Sequence, residues 1–272
     1  MATQPEQIND YAFIINLIYA RCRIRLHEGK EHLIKARLGK RMRHHGFETL
    51  SQYCDYLRRG CDEVELTHLV DALTTNYTQF LREREHFDFL VGTALPTVLA
   101  GRRRFRVWSA ACATGEEAYS VAFYLWEHFP LMAEWDWQVL ATDVSTNALT
   151  RARQGVYREE RLRSLPPAWW RKYFQKGQQS WEGHYRIKPA VRERIRFEQI
   201  NLLGHYNFRR PFEVIFCRNV MIYFDRPTQE QLGQRLAQFL APKGYLLIGH
   251  SESLHGLSVG LRCLKPSIYQ KM

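Results

Sequence analysis

Long apolar runs, paired cysteines, internal repeats and low-complexity tracts are all missing from this chain. The most apolar stretch near the N-terminus, Tyr11 to Ala20, is closed by Arg21 and Arg23, well short of the roughly 20 apolar residues that cross a bilayer. Asp10 precedes it and no small-residue cleavage site follows, so neither a leader peptide nor membrane insertion is expected. The six cysteines, Cys22, Cys54, Cys61, Cys112, Cys217 and Cys263, include no CxxC pair. That predicts no metal site, and reduced, mostly buried thiols in a cytoplasmic protein. Acidic residues are the scarcer charge: 28 Asp plus Glu face 39 Lys plus Arg, a formal net charge of +11. The surplus favours an acidic partner and speeds encounter with it, without choosing among nucleic acid, an anionic membrane and an acidic protein. With 272 residues, 45% of them hydrophobic, the chain suits one large domain or two unequal ones.

Two textures divide it. Up to about residue 76 the pattern is helical. Ile14, Ile15, Leu17 and Ile18 form an apolar stripe, and Ile34, Leu38 and Met42 recur every four residues along one helical face. Gly46 is a natural stop, Ser51 a candidate cap for the next helix, and Leu66, Leu69, Val70 and Leu73 mark another. From about Phe105 strands alternate with helices. Arg104–Ala110, Trp137–Thr142, Arg196–Ile200, Glu213–Cys217 and Tyr245–Gly249 are the expected strands. Glu116–Phe129, stopped by Pro130, a helix from Ser145 to about Gln154, and one from Thr228 through Leu240, stopped by Pro242 and Gly244, are the expected helices. This alternation predicts a parallel sheet covered on both faces. Between Trp169 and Pro189, aromatic and β-branched residues flank a Gly/Gln/Ser turn, which predicts a small inserted hairpin.

The first expected strand runs into Ser109-Ala110-Ala111-Cys112-Ala113-Thr114-Gly115-Glu116-Glu117 and then a helix. Small residues such as Ala111 and Gly115 let the backbone approach a ligand closely. A dinucleotide site would carry GxGxxG here to bring pyrophosphate to the helix N-terminus; the motif is absent, and two carboxylates that would repel phosphate stand in its place. An acidic turn suits a cationic cofactor without phosphate, and S-adenosylmethionine, with its ammonium and sulfonium groups, fits. Asp143, about 28 residues past Gly115 at the end of the second strand, is placed either to bond ribose hydroxyls or to stabilise a helix start.

These segments, with Thr74-Thr75-Asn76-Tyr77-Thr78-Gln79-Phe80-Leu81-Arg82 before them and Ala141-Thr142-Asp143, Asn201-Leu202-Leu203 and Phe216-Cys217-Arg218-Asn219-Val220-Met221-Ile222-Tyr223-Phe224 after, occur in order along nearly the whole chain. In that order and spacing the chain resembles the chemoreceptor glutamate methyltransferase family, CheR. The resemblance implies a Rossmann-like class I S-adenosylmethionine-dependent methyltransferase sheet. It also implies a small N-terminal all-helical domain (residues 1–76), a linker contributing to the cofactor site (77–88), and a methyltransferase domain (89–272) with an inserted antiparallel β-subdomain at about 169–190. The implied activity is protein-glutamate O-methylation: S-adenosyl-L-methionine gives its methyl to glutamate carboxylates of methyl-accepting chemotaxis receptors and leaves S-adenosyl-L-homocysteine.

Residue by residue, the resemblance implies that Asn76, Thr78 and Arg82 close over the cofactor. Glu117 binds it, with Glu116 less clearly assigned; Asp143 holds the ribose; Asn201 and Leu202 flank the adenine; Arg218 and Asn219 bound the cofactor from the fourth strand. Arg82 and Tyr223 orient the acceptor carboxylate. The departures from the family pattern, Gln79 and Leu81 around Phe80, and Cys112 in the turn, touch no implied contact. Lys35, Arg37, Lys40, Arg41, Arg43 and His44 crowd one helix, which is either a solvated face or, as the resemblance favours, a dock for acidic receptor helices. Trp181, Tyr185 and Arg186 of the hairpin either capture a receptor C-terminal tail by strand addition or pack the hairpin down. A monomer with no nucleic-acid partner is expected. The competing readings are a nucleic-acid methyltransferase, disfavoured because no Asn/Asp-Pro-Pro-aromatic motif follows the fourth strand, and a non-catalytic receptor-binding protein, disfavoured by Glu117, Asp143 and Asn219.

Overall fold

Apolar residues three and four apart bury one face of each N-terminal helix in the computed structural model, which describes residues 5–26, 29, 31–98, 104–128 and 135–272. Helix α1 (Pro5–Cys22) contributes Ile14, Ile18 and Cys22; α2 (Glu31–His44) contributes Ile34, Leu38 and Met42. Helix α3 (Leu50–Arg58) adds Tyr53, Cys54 and Leu57, and α4 (Glu63–Leu73) adds Leu69, Val70 and Leu73, all in one core. Gly46 takes the left-handed φ of +73° beyond the end of α2. The cap of α3 is Thr49, not Ser51: Thr49 Oγ1 accepts from Gln52 N at 3.3 Å, and Gln52 Oε1 accepts from Thr49 N at 3.0 Å. This reciprocal capping box needs a Gln or Glu three residues on, which Thr49 has and Ser51 lacks.

Beneath the bundle surface lies a charged knot. The Glu65 carboxylate accepts from Arg41, from Tyr53 Oη at 2.5 Å and from His45 Nε2 at 2.8 Å. Burial pushes this carboxyl up, but Arg41, Tyr53 and His45 outweigh it and hold it at about 2.

The remainder builds two sheets. Helix α5 (Glu85–Phe89) continues through a π-helical turn, Leu90–Ala94, into α6 (Leu95–Val98). Then come β1 (Arg104–Ala110), α7 (Glu116–His128), β2 (Asp136–Asp143) and α8 (Thr146–Gln154). The small sheet uses β3 (Val156–Arg158), β4 (Phe174–Lys176) and β5 (His184–Ile187), with α9 (Pro167–Tyr173) before β4 and α10 (Pro189–Arg192) after β5. The chain closes with β6 (Ile195–Gln199), β7 (Phe212–Cys217), α11 (Arg226–Phe239), β8 (Leu240–Ile248), β9 (Leu261–Lys265) and β10 (Ile268–Lys271). Phe129 and Pro130, expected as the end and stop of α7, lie outside the described residues.

The large sheet has the order β6-β2-β1-β7-β8-β10-β9. Strands β6 through β8 are parallel, whereas β10 runs antiparallel to β8 and β9 antiparallel to β10. The sheet is therefore mixed, not parallel throughout. The final two strands are joined only by Pro266 and Ser267, the latter at φ +63°, and so short a link permits only a hairpin. Side chains alternate along β1: Phe105 and Val107 join the core under α7, while Trp108 and Ala110 join the core under α11. Ser145 caps α8 as expected, accepting from Ala148 N at 3.1 Å. The cap of α11 is Asp225, whose Oδ1 accepts from Thr228 N at 3.0 Å, so Thr228 lies inside the helix. Pro242 and Gly244 fall within β8 rather than stopping α11.

The expected hairpin is present as β4 and β5, but Trp169–Tyr173 is helical and the sheet gains a third strand from Val156–Arg158. Its order is β3-β5-β4. Tyr185 and Arg186 therefore sit on the central strand, not on an edge. Tyr185 is only 8% exposed and packs on Trp170, with ring centroids 5.4 Å apart; of its two expected roles this is packing the hairpin down, and its place in a peptide-binding surface is corrected. Trp181, at 58%, is open to solvent.

Candidate active site

Strand order reverses about β1, whose connection through α7 leads to β2 on one side while β7 lies on the other. Beyond the carboxyl ends of such strands an α/β sheet leaves a crevice, and here it is a cavity of about 330 Å³. The segment Thr74–Gln79 walls it, and the N-terminal bundle closes another side with Cys22, Ile24, Leu26 and Leu33. Of the expected cofactor and substrate residues, Asn76, Thr78, Arg82, Ala111, Glu117, Asp143, Asn201, Leu202, Arg218, Asn219 and Tyr223 all line this one space.

Gly115 does not line it. At φ +97°, a Cβ there would stand 2.9 Å from Ala152 Cβ and 3.1 Å from Tyr157 Oη. Its glycine lets the start of α7 press against α8, a packing role rather than a ligand contact. The rest of the turn is pinned by β2: Ala111 N and Cys112 N both donate to Thr142 O at 2.8 Å, and Ala113 N donates to Asp143 Oδ2 at 2.8 Å. The Asp143 Oδ1 accepts from Ser145 N at 2.9 Å. Three backbone N–H groups, of Ala113, Ser145 and Val144, thus bear on this carboxylate, whose two oxygens offer about four acceptor sites. Burial raises the Asp143 carboxyl against the pull of those N–H groups.

The paired acids of the turn part company. Glu116 is buried outside the cavity, held by Arg161 and by Thr114 Oγ1 at 2.6 Å. Glu117 faces inward. It accepts from Ser109 Oγ at 2.6 Å and lies 3.4 Å from Arg218 Nη1. Burial pushes the Glu117 carboxyl up, opposed chiefly by Arg218.

Arg218 is the buried hub. Its side chain is 1% exposed; Nη2 donates to Arg82 O, and Nη2 and Nε reach Glu83 Oε2 at 3.1 and 3.3 Å. The Nη1 atom has no hydrogen-bond partner among the described residues. Asn219, at φ +57°, donates from Nδ2 to Glu83 Oε1 at 3.2 Å and from its backbone to Glu252 Oε2 at 2.9 Å. Glu252 also accepts from Gly249 N and Ile222 N. Sequence reasoning missed Glu83 and Glu252, although one adjoins Arg82 and the other follows the last long strand. It also missed His86, whose ring burial and Arg218 together depress to about 3. Glu83, His86 and His250 bring ligand-type atoms within 4.8 Å of one another, but the Glu83 oxygens are already engaged by Arg218 and Asn219. Leu81, Glu83, Ala111, Ala113 and Asn219 all take left-handed φ around this site. Each such non-glycine residue costs on the order of 1 kcal/mol or more, a strain typical of functional sites.

Arg82 is half-buried, donating from Nη1 to Tyr77 O at 3.3 Å. Tyr223 lines the cavity, and its carbonyl accepts from Arg25 N at 2.9 Å. Asn201 ties the cavity to the bundle: Nδ2 donates to Arg21 O at 2.8 Å, while Oδ1 accepts from Leu203 N at 3.1 Å.

On α2, the expected docking residues divide. Lys35, Lys40, Arg43 and His44 are exposed. Arg41 is spent on Glu65, and Arg37 turns inward to the carbonyls of Leu73 and Thr74; neither is free to dock an acidic partner. Helical spacing alone did not distinguish the two sets because α4, which takes both arginines, lies far along the sequence.

Comparison with known proteins matches both parts of the chain. A family model described as CheR methyltransferase, SAM binding domain, matches residues 76–269, and one described as CheR methyltransferase, all-alpha domain, matches residues 9–74. The chemotaxis protein methyltransferase of Salmonella typhimurium (strain LT2) is 40% identical over 261 residues, spanning 94% of this chain and 88% of its relative. That of Escherichia coli (strain K12) is 39% identical over 248 residues, 90% and 84%. That of Borreliella burgdorferi is 35% identical over 265 residues, 95% and 92%. With both its helical and its cofactor-binding parts matched, the chain belongs to the CheR family of S-adenosylmethionine-dependent methyltransferases.

Proposed function

We propose that this enzyme esterifies glutamate side chains of methyl-accepting chemotaxis receptors in the cytoplasm, releasing S-adenosyl-L-homocysteine. One observation carries the reading: the buried Asp143 and the partly buried Glu117 face the same cavity as Arg82 and Tyr223. Its size, about 330 Å³, lies in the range of small-molecule sites. Glu117 has one hydroxyl donor and an ion pair with Arg218 Nη1 at 3.4 Å, and it keeps acceptor sites that an ammonium would fill. Asp143 retains acceptor capacity for a ribose diol. Asn201 and Leu202 supply a polar and an apolar edge for adenine, while Asn76 and Thr78 cover the opening.

When bound, S-adenosylmethionine supplies an electrophilic methyl on a good leaving group. The acceptor needs no base, because a glutamate carboxyl with a pKa near 4.3 is already ionised at neutral pH. The protein's task is alignment, and holding reactants in line is worth roughly 7–11 kcal/mol of barrier. Arg82 draws the incoming carboxylate, and the Tyr223 hydroxyl orients it without opposing the loss of its charge. We take the bundle (residues 1–76) as the docking domain, 77–88 as the linker, and 89–272 as the catalytic domain. The exposed Lys35, Lys40, Arg43 and His44 are suited to acidic receptor helices, and the outer strand β4, followed by the exposed Trp181, to a tail peptide.

The test is calorimetric titration with S-adenosylhomocysteine followed by assay of base-labile methyl esters on receptor membranes. Binding with ester formation is expected. Methylated nucleic acid instead of esters would move the chain to a different substrate class, and absence of cofactor binding would leave a receptor-binding protein without catalysis.

A further inference from the structure

Helix α4 ends without the usual device. A glycine in the left-handed region commonly absorbs the last carbonyls of a helix; here Thr74 turns extended at φ −70° and ψ 152°, its N–H bonding back to Val70 O and its Oγ1 donating to Asp71 O at 3.3 Å. The carbonyls of Leu73 and Thr74 are met from another helix. Arg37 of α2 places Nη1 at 2.7 Å from Leu73 O and 3.3 Å from Thr74 O, and Nη2 at 3.2 Å from Thr75 Oγ1. A rigid planar fork touching three consecutive residues fixes the direction in which the chain leaves the helix. Its charge also complements the negative end of the α4 dipole.

What leaves the helix there is the wall of the cofactor cavity. Asn76, next after Thr75, donates to Ser145 Oγ at 3.3 Å, and Thr78 O accepts from Arg161 Nη2 at 2.5 Å. The wall therefore has three anchors on three elements: Arg37 on α2, Ser145 at the start of α8, and Arg161 beyond β3. Arg37 itself lines the same cavity. We propose that Arg37 is a positioning residue for cofactor binding, clamping the exit of α4 so that Asn76 and Thr78 stand over the bound cofactor. Its neighbours Lys40 and Arg43 are left to meet the acidic partner. A carboxylate that captured Arg37 would have to break three bonds within the enzyme.

The proposal rests on the cavity being the cofactor site, and the purified full-length enzyme tests both. S-adenosylhomocysteine is titrated calorimetrically, without receptor, into wild type, Arg37→Ala, Arg37→Lys and Thr75→Ala. Loss of charge-assisted hydrogen bonds is worth enough for Arg37→Ala to raise Kd about tenfold. The KM for S-adenosylmethionine should rise in parallel, with kcat at saturating cofactor within about twofold of wild type. Arg37→Lys, a point charge without the fork, should recover part of the loss, and Thr75→Ala should raise Kd about twofold to threefold. An unchanged Kd in Arg37→Ala with an altered receptor KM would return Arg37 to docking and overturn the proposal. If Arg37→Ala does not fold, unchanged Kd in both Arg37→Lys and Thr75→Ala overturns it equally. Absence of binding by wild type would instead remove the cofactor reading itself, and this proposal with it.

Discussion

Glu117 and Tyr223 share one cavity but carry different loads. Glu117 is a carboxylate raised by burial and incompletely countered by Arg218, so neutralising it removes a charge-assisted contact to the cofactor's ammonium. Such contacts are worth about 1.5–3 kcal/mol; Glu117→Gln should therefore weaken S-adenosylhomocysteine binding roughly tenfold to a hundredfold by calorimetry. Tyr223→Phe should leave that affinity within about twofold and lower kcat instead, if, as proposed, the hydroxyl serves the acceptor rather than the donor. Equal loss in both measurements would remove Tyr223 from the orienting role. The side chains that hold these in place were harder to foresee. Glu83 meets Arg218 and Asn219 across more than a hundred residues of chain, and nothing local marks a carboxylate that will be buried there. Asn219, by contrast, stands inside a legible segment, and its left-handed φ suits an asparagine.

At the scale of elements, the bundle's stability should follow acid in a defined window. The folded Glu65 carboxyl is depressed to about 2 from an ordinary 4.5. Its contribution is fully present above pH 4.5 and is lost as pH falls toward 2, because the unfolded chain takes up the proton first. Urea unfolding of Glu65→Gln should therefore show a shallower decline across that window than wild type. The α2 surface gives a separate outcome: Lys40→Glu with Arg43→Glu should slow receptor methylation severalfold, with unchanged S-adenosylhomocysteine affinity. Strands and helices of the sheet were legible because period-2 and period-3.6 burial patterns are local. The β9–β10 hairpin was not, since β9 is almost wholly exposed and offers no alternating apolar signal. The partition of α2 into exposed and inward basic residues was equally invisible, because it depends on which side α4 packs.

Across the whole molecule, a net charge of +11 and an acidic target imply electrostatically steered encounter. The kcat/KM for receptor should fall steeply as salt rises from about 0.05 to 0.5 M, while cofactor affinity, set inside the cavity, should change little. A salt-insensitive receptor rate would count against steering by the basic surface. Order along the chain made the family and the cofactor wall legible at this scale, since each motif is contiguous. The joining of the two parts was not legible, because Asn201 to Arg21, Tyr223 to Arg25 and Thr146 to Asp71 are tertiary bonds between segments with no shared pattern. Since Cys22, Ile24, Leu26 and Leu33 form one side of the cavity, the helical part is architecture for the small molecule as much as a proposed handle for the large one. An engineer who transplanted the sheet half alone would carry away a cup missing a side, open to bulk water. Swapping bundles to redirect receptor choice would also retune the grip on the methyl donor.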